Sequence, residues 1–131
     1  MASGVAATGL ANPWLQVLSG TSFTGVGATY VQLHTGEPGA SGTSNVSSVT
    51  TRPAITWGTV SAGSIAAVST FPSWASWAGT NNEVETNISI WSASTSGTFL
   101  FSVLLTASKT VGTGDTLTLS SLSLGLTPIA A

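Results

Sequence analysis

A two-residue period is the feature of this sequence that most restricts its fold. Between Glu83 and Ile90, the side chains of Val84, Thr86, Ile88 and Ile90 alternate with those of Glu83, Glu85, Asn87 and Ser89. Alternation of this kind is typical of a strand that buries one face. The segment is therefore predicted to be a half-buried antiparallel strand, with Glu83 and Glu85 on a solvated edge.

Further short runs have the same character, and turn residues separate them. Apolar side chains alternate near residues 31–33, 55–57 and 65–71, and Gly and Pro accumulate in residues 35–51. Phe99–Leu105 is apolar at nearly every position, which is typical of a strand covered on both faces, inside a sandwich or beneath another subunit. The sequence therefore predicts an all-β chain, a single antiparallel β-sandwich of about seven to eight strands.

The last apolar segment changes its phase. Leu117 and Leu119 keep one two-residue register, whereas Leu122, Leu124 and Leu126 keep the other. A shift of one residue moves every side chain to the opposite face of a strand. A bulge or a crossover between sheets is therefore predicted at Ser120–Ser121.

The first residues have a different character from the rest of the chain. Residues 1–9, MASGVAATG, are small and uncharged, and they predict a flexible N-terminal arm before one domain over residues 10–131. A short helix is predicted over Pro13–Ser19, with Asn12 as its cap, Gly20 as its end and Trp14, Leu15 and Leu18 on one side.

Charged side chains are scarce, and this scarcity disfavours several functions. Only 5% of the 131 residues are charged, and Lys and Arg together number 2, whereas an ordinary domain is about 25% charged. A basic nucleic-acid surface is excluded on this count. No apolar run reaches the length of a membrane span. With 1 His and no Cys, we expect neither an enzyme nor a cofactor.

One loop carries the single histidine. His34 precedes Glu37 and the turn residues Pro38 and Gly39. One imidazole and one carboxylate fall short of the three or four ligands of a usual metal site, so no metal is expected. We interpret these four residues as organising the loop through hydrogen bonds and a Pro-Gly turn.

The remaining candidates for contact with a partner are aromatic and cationic. Trp74 and Trp77 lie in a segment rich in Pro and Ser, where indoles are suited to a protein interface, the core or a sugar. The other predicted interface residues are Phe99, Phe101, Arg52 and Lys109. A glycosidase would need paired carboxylates such as Glu83 and Glu85, but a solvated edge that discourages strand pairing is the preferred interpretation.

Three stretches resemble a family of small virion structural proteins of tailed bacteriophages, often labelled tail-fibre, minor virion or capsid decoration proteins. They are GTSFTGVGATYVQLHTGEPG (Gly20–Gly39), TRPAITWG (Thr51–Gly58) and IWSASTSGTFLFSVLLTASKTVGTGDTLTL (Ile90–Leu119). The resemblance implies a protein made in the host cytoplasm and carried on the exterior of the particle.

Within that family, the first hypothesis is a capsid decoration protein that cements coat subunits. Its partners would be the major capsid protein or other virion proteins, and a homo-oligomer is expected, with a trimer as the suggested state. The alternatives are a tail-fibre or tail-tip component, or a module that recognises a host cell-surface glycan. A surface with few charges suits all these roles, because contact leaves little unpaired buried charge.

Overall fold

The computed structural model describes residues 3–126, which form a short helical region followed by eight strands. The helical region consists of a π-helical turn at Ala7–Ala11, an α-helix at Asn12–Gln16 (α1) and a 3₁₀ turn at Val17–Ser19. The strands are β1 (Thr29–His34), β2 (Ala54–Ile55), β3 (Ser64–Ala66), β4 (Ser73–Trp74), β5 (Glu83–Trp91), β6 (Phe99–Val111), β7 (Leu117–Thr118) and β8 (Ser123–Gly125).

The strands pair antiparallel throughout the described sheets. One sheet has four strands in the order β2-β1-β5-β6, and two smaller sheets pair β3 with β8 and β4 with β7. The register of the large sheet sets Val31 opposite Ile90 and Leu33 opposite Ile88. The predicted all-β, antiparallel fold with one short N-terminal helix is confirmed.

The main core lies on one face of the four-stranded sheet. Val31, Leu33, Ile88 and Ile90 are each at most 1% exposed. They belong to one apolar cluster with side chains from the smaller sheets and their flanks, including Trp74, Leu117, Leu122 and Leu124. The sheets therefore enclose the core between them in a sandwich-like arrangement. Burying such aliphatic side chains stabilises a fold by about 1.5–3 kcal/mol each.

The predicted change of phase near Ser120 is confirmed as a crossover between sheets. Leu117 pairs with Trp74 of β4, whereas Leu124 pairs with Ile65 of β3. The chain leaves one small sheet and enters the other between these two leucines. Both registers therefore point leucines into the same core.

The helical region follows the prediction at its end and departs from it at its start. Gly20 adopts a left-handed φ of 79° after the 3₁₀ turn, as a helix-ending glycine does. Asn12 is not a cap, because the helix continues from the preceding π-helical turn and no side chain caps it. Trp14 packs against the core, but Leu15 and Leu18 are 62% and 86% exposed.

The predicted flexible arm lies against β6 over its described residues. Val5 forms an antiparallel bridge with Phe101, and the Ala6 amide donates to the Leu100 carbonyl over 2.7 Å. Gly9 touches β6 so closely that a Cβ there would overlap the Phe99 carbonyl oxygen. Small side chains make this approach possible, which is why a composition typical of a loose arm can lie along the edge of β6. Met1, Ala2 and residues 127–131 lie outside the described residues.

Strand β6 is the edge of the large sheet, and its two halves differ. Phe99–Ser102 is buried, as expected for a strand covered on both faces, and the N-terminal residues lie alongside it. Beyond this point the strand is mostly exposed, and Leu104 retains 65% of its accessible surface. Among the helical segments of residues 3–126, none combines the length and hydropathy that crossing a bilayer requires.

Candidate functional site

The second face of the four-stranded sheet is polar and yet buried. Five polar side chains on this face are each at most 2% exposed: Gln32, His34, Glu85, Asn87 and Ser89. Val84, which shares the apolar register of Ile88 and Ile90, is 43% exposed. The predicted solvated edge for Glu85 is therefore wrong. A two-residue period shows that two faces differ in polarity, but it does not show whether the polar face meets water or another segment.

The covering segment is the loop of residues 35–51. Its end pairs with β1, since the Ser47 amide donates to the Leu33 carbonyl over 3.1 Å. Its middle lies over aromatic rings, because a Cβ on Gly42 would collide with Phe99 and touch Trp91. Gly39 and Gly42 both have left-handed φ values, 72° and 73°, which suit glycine. The loop thus depends on glycines at its turn and at its closest contact.

His34 links the sheet to this loop through a chain of hydrogen bonds. Its Nδ1 lies 2.8 Å from the Ser44 carbonyl oxygen, and its Nε2 lies 2.7 Å from Ser89 Oγ. Trp91 Nε1 also donates to Ser89 Oγ over 2.8 Å. A carbonyl only accepts, so Nδ1 carries the proton and Nε2 accepts from the Ser89 hydroxyl. Every polar atom of this chain of bonds is paired when the imidazole is neutral.

Burial also favours the neutral imidazole. Desolvation lowers the pKa of His34 below its ordinary value, and the positive charge of Arg52 acts in the same direction. A protonated ring would have to donate from both nitrogens, which would force the Ser89 hydroxyl to turn away. His34 is therefore placed to hold the loop rather than to transfer protons.

Glu83 and Glu85 form a carboxyl pair under the same loop. Glu83 Oε1 accepts from Ser47 Oγ over 2.6 Å and from the Ser48 amide over 2.9 Å. Burial by itself would raise the pKa of Glu83, but these bonds and one from Glu85 lower it to about 2. Glu83 thus fastens the loop at Ser47–Ser48 as an ionised carboxylate.

Glu85 has the opposite protonation preference. Its side chain is completely buried, and neither carboxyl oxygen accepts a hydrogen bond from an amide or hydroxyl donor. Burial raises the pKa of Glu85 to about 7, and the adjacent Glu83 carboxylate adds to the rise. Below this pH, Glu85 is therefore the protonated member of the pair and Glu83 the ionised one. With zero exposure, Glu85 offers no surface that a sugar substrate would contact.

Arg52 closes the polar face near the loop end. Its Nε donates to Gln32 Oε1 over 2.9 Å and its Nη1 donates to the Ser96 carbonyl over 2.8 Å. The guanidinium lies 4.0 Å from the centroid of the Trp91 ring, in a cation–π contact. Arg52, predicted as an interface residue, thus contributes to the chain's own interior, whereas Lys109 is exposed on β6.

The aromatic residues predicted to face a partner are inside the molecule. Trp74 and Trp77 are 5% and 2% exposed and belong to the core. Their indole nitrogens donate to the carbonyls of Thr51 and Thr80. The prediction that these indoles face a partner or a sugar is corrected, because Pro and Ser around them mark turns that fold the rings inward. Phe99 and Phe101 are also buried.

The loop residues predicted to organise residues 35–51 lie together. The Ser44 amide donates to the Pro38 carbonyl, the Gly42 amide donates to the Gly39 carbonyl, and Asn45 Nδ2 donates to the Glu37 backbone carbonyl. Within residues 3–126, no group of three or more His, Cys, Asp or Glu side chains is arranged to hold a metal ion.

Exposed apolar side chains mark a different part of the surface. Leu15, Val17 and Leu18 on the helical region are 62%, 55% and 86% exposed. We call these three residues the helical patch. A groove of about 300 Å³ opens between the exposed half of β6 and residues 117–122. Sequence interpretation missed the helical patch because apolar spacing along one helix side predicts burial, and no charged residue marks the outward side.

Comparison with known families identifies the chain's relatives. The family model described as Podophage GP4 fiber I protein gp80 matches residues 5–127. The chain belongs to this family. It is a phage virion structural protein, in agreement with the resemblance seen in three stretches of the sequence. No match was found among curated proteins.

Proposed function

We propose that this chain is a fibre component of a podophage particle and works by contact with other virion proteins. The observation that carries the proposal is the family match, which extends over residues 5–127 and takes its description from a podophage fibre protein. The fibre role is favoured over capsid decoration on this description alone.

The distribution of polar and apolar groups supports a role in assembly. His34, Glu83, Glu85 and Arg52 are engaged with the chain's own groups: His34 and Glu85 are fully buried, and Glu83 and Arg52 form hydrogen bonds within the chain. Three of the side chains left exposed on the helical region, Leu15, Val17 and Leu18, are aliphatic. Exposed aliphatic groups in a chain that is only 5% charged gain free energy when another protein covers them.

The structure affects the hypotheses of capsid decoration and glycan recognition to different extents. Capsid decoration stays a prediction, and so does the expectation that the chain is not an enzyme. The glycan hypothesis loses the side chains on which it depended, because both Trp74 and Trp77 are in the core. Location on the particle separates the fibre hypothesis from capsid decoration.

Cryo-electron microscopy of purified particles tests the proposal. We expect density that fits residues 3–126 in a fibre attached to the tail region. Regular density over the capsid lattice would replace the fibre role with capsid decoration. Absence of the chain from purified particles, checked by mass spectrometry, would overturn both.

A matched pair of surface variants tests how the chain is held there. Replacement of Leu15 and Leu18 by Ser removes two exposed apolar side chains of the helical patch, and we expect at least a tenfold loss of the chain from particles. Val60→Ser is the control, because Val60 is equally exposed, at 66%, and lies far along the chain from the patch. Equal incorporation of both variants would show that the helical patch is not a contact surface.

A further inference from the structure

Residues 3–19 form a unit that docks on the edge of the large sheet; we call it the N-terminal segment. The Ala6 amide donates to the Leu100 carbonyl over 2.7 Å, and the Ser102 amide donates to the Gly4 carbonyl over 2.9 Å. Asn87 Nδ2 also donates to Ser3 Oγ over 3.0 Å. These bonds complete an edge of β6 that would otherwise be unpaired.

Side-chain packing makes this docking specific. Ala6 is buried in a small cluster with Trp91 and Phe99, and Leu10 belongs to the main core. Gly9 fits against the Phe99 carbonyl with no room for a Cβ. The β6 edge therefore accepts this particular segment by shape as well as by hydrogen bonding.

The connection from this segment to β1 has the properties of a hinge. Residues 20–28 are all exposed, and no hydrogen bond joins residues 22–28 to another described residue. A Cβ added at Gly20, Gly25 or Gly27 would meet no other atom within 4 Å. Fully extended, this connection spans about 30 Å. It is therefore long enough to carry the segment to an adjacent molecule.

We propose that the N-terminal segment docks on β6 of a second copy of this chain, so that copies are joined by exchange of identical segments. Docking on a second copy makes the same hydrogen bonds at Leu100 and Ser102 as docking within the same chain. Only the hinge changes conformation. The inference does not depend on whether the particle carries the chain in a fibre or on the capsid.

The helical patch favours docking of the N-terminal segment on a second copy over docking within the same chain. In the closed chain, Leu15, Val17 and Leu18 lie on the outer side of the segment and remain exposed. In the exchanged arrangement that we propose, the first copy covers these side chains, and removing apolar surface from water favours association. Repulsion between copies is small, because the formal net charge is −2.

Disulfide trapping in the full-length chain tests the exchange. The chain has no Cys, so Gly4→Cys with Ser102→Cys introduces a single reporter pair at residues that face each other across the edge. Gly4 has open space for a side chain. After oxidation of concentrated protein, we expect covalent dimers and higher species on a non-reducing gel.

A second pair controls for random cross-linking. Val84→Cys with Thr110→Cys joins register partners of β5 and β6 within one chain, and it should run as a monomer. If the oxidised Gly4→Cys, Ser102→Cys protein also runs only as a monomer, the exchange is overturned, because the segment then docks on its own chain. Free thiols that persist in the Gly4→Cys, Ser102→Cys variant would overturn the docking of the N-terminal segment on β6.

A glycine pair gives an independent test without cysteine. Gly9→Ala forces a Cβ against the Phe99 carbonyl, whereas a Cβ at Gly4 meets nothing within 4 Å. By light scattering, Gly9→Ala should lose at least 90% of the oligomer seen for the unaltered chain, and Gly4→Ala should lose none. An oligomer that survives Gly9→Ala, or an unaltered chain that is monomeric at every concentration, would contradict the proposal.

Discussion

The two faces of the four-stranded sheet are both buried, but they are stabilised by different interactions. On one face, Val31, Leu33 and Ile90 pack in the apolar core. On the other face, His34, Ser89 and Glu85 are equally inaccessible beneath the loop of residues 35–51. The first face needs only apolar area and shape, whereas the second needs a partner for each polar atom and the correct proton on each titratable group.

Few charges and a polar interior occur together in this chain because most of the buried polar groups pair with one another. The hydroxyls, imidazole and indole of the second face satisfy one another in the neutral state, as the bonds of Ser89 to His34 and Trp91 illustrate. In the carboxyl pair, burial and the neighbouring Glu83 carboxylate favour the neutral form of Glu85 by raising its pKa. The polar face therefore fixes a loop in one conformation, a role that a merely apolar face would fill with less specificity.

The largest effect is expected on the apolar face. Ile90→Ala should lower the free energy of unfolding by about 2–5 kcal/mol, because it leaves a cavity in the core. Urea denaturation at neutral pH measures this loss. Val84→Ala is the control on the same strand, since Val84 is 43% exposed, and it should change stability by at most about 0.5 kcal/mol. Similar losses for both variants would contradict the placement of Ile90 in the core and of Val84 at the surface.

Ser89→Ala examines the polar face with a change of one atom. It leaves Trp91 Nε1 and His34 Nε2 without their partner, so unfolding free energy should fall by about 1–3 kcal/mol. Ser61→Ala, at an exposed serine with a backbone role only, should be neutral. A neutral result for Ser89→Ala would mean that water reaches these atoms and that the loop does not seal the face.

The carboxyl pair predicts that stability depends on pH between about 4.5 and 8. The folded pKa of Glu85, about 7, lies above the ordinary value of 4.5, so the stabilisation is complete below pH 4.5 and is lost as pH rises through 7. The contribution of Glu85 to the unfolding free energy should fall by at least about 1 kcal/mol between pH 4.5 and 8. Glu85→Gln should abolish this fall, whereas Asp115→Asn should retain it. His34 contributes in the opposite direction below pH 6.5, so the contradicting result is a Glu85→Gln profile that runs parallel to that of the unaltered chain.

The smallest effect is expected where the polar face meets solvent. Arg52→Lys keeps the charge but loses the planar contact with Trp91 and the bond from Nε to Gln32. The expected loss is about 0.5–1 kcal/mol by urea denaturation. Lys109→Arg, at an exposed position, should leave stability unchanged. A loss at Lys109 equal to that at Arg52 would show that the guanidinium stack contributes nothing.

Sequence reasoning predicted the apolar face and its strands because alternation and burial agree there. The leucine phase change near Ser120 also predicted a real crossover. Sequence reasoning failed for Glu85 and Trp74, because their burial depends on loops that return from distant parts of the chain. It failed for Leu15 and Leu18 as well, since a short helix with many apolar residues does not reveal which of them its own domain covers.

Both the fold and the proposed role in assembly require the polar face of the four-stranded sheet to be interior. His34 reports on it directly, because it is the chain's single histidine. Nitrogen NMR of the imidazole across pH 5–8 should show a neutral ring with the proton on Nδ1 and a titration below the ordinary pKa. The contribution of His34 to stability should accordingly be lost as pH drops below 6.5. An imidazole that titrates at its ordinary value, with the proton exchanging between both nitrogens, would contradict the account.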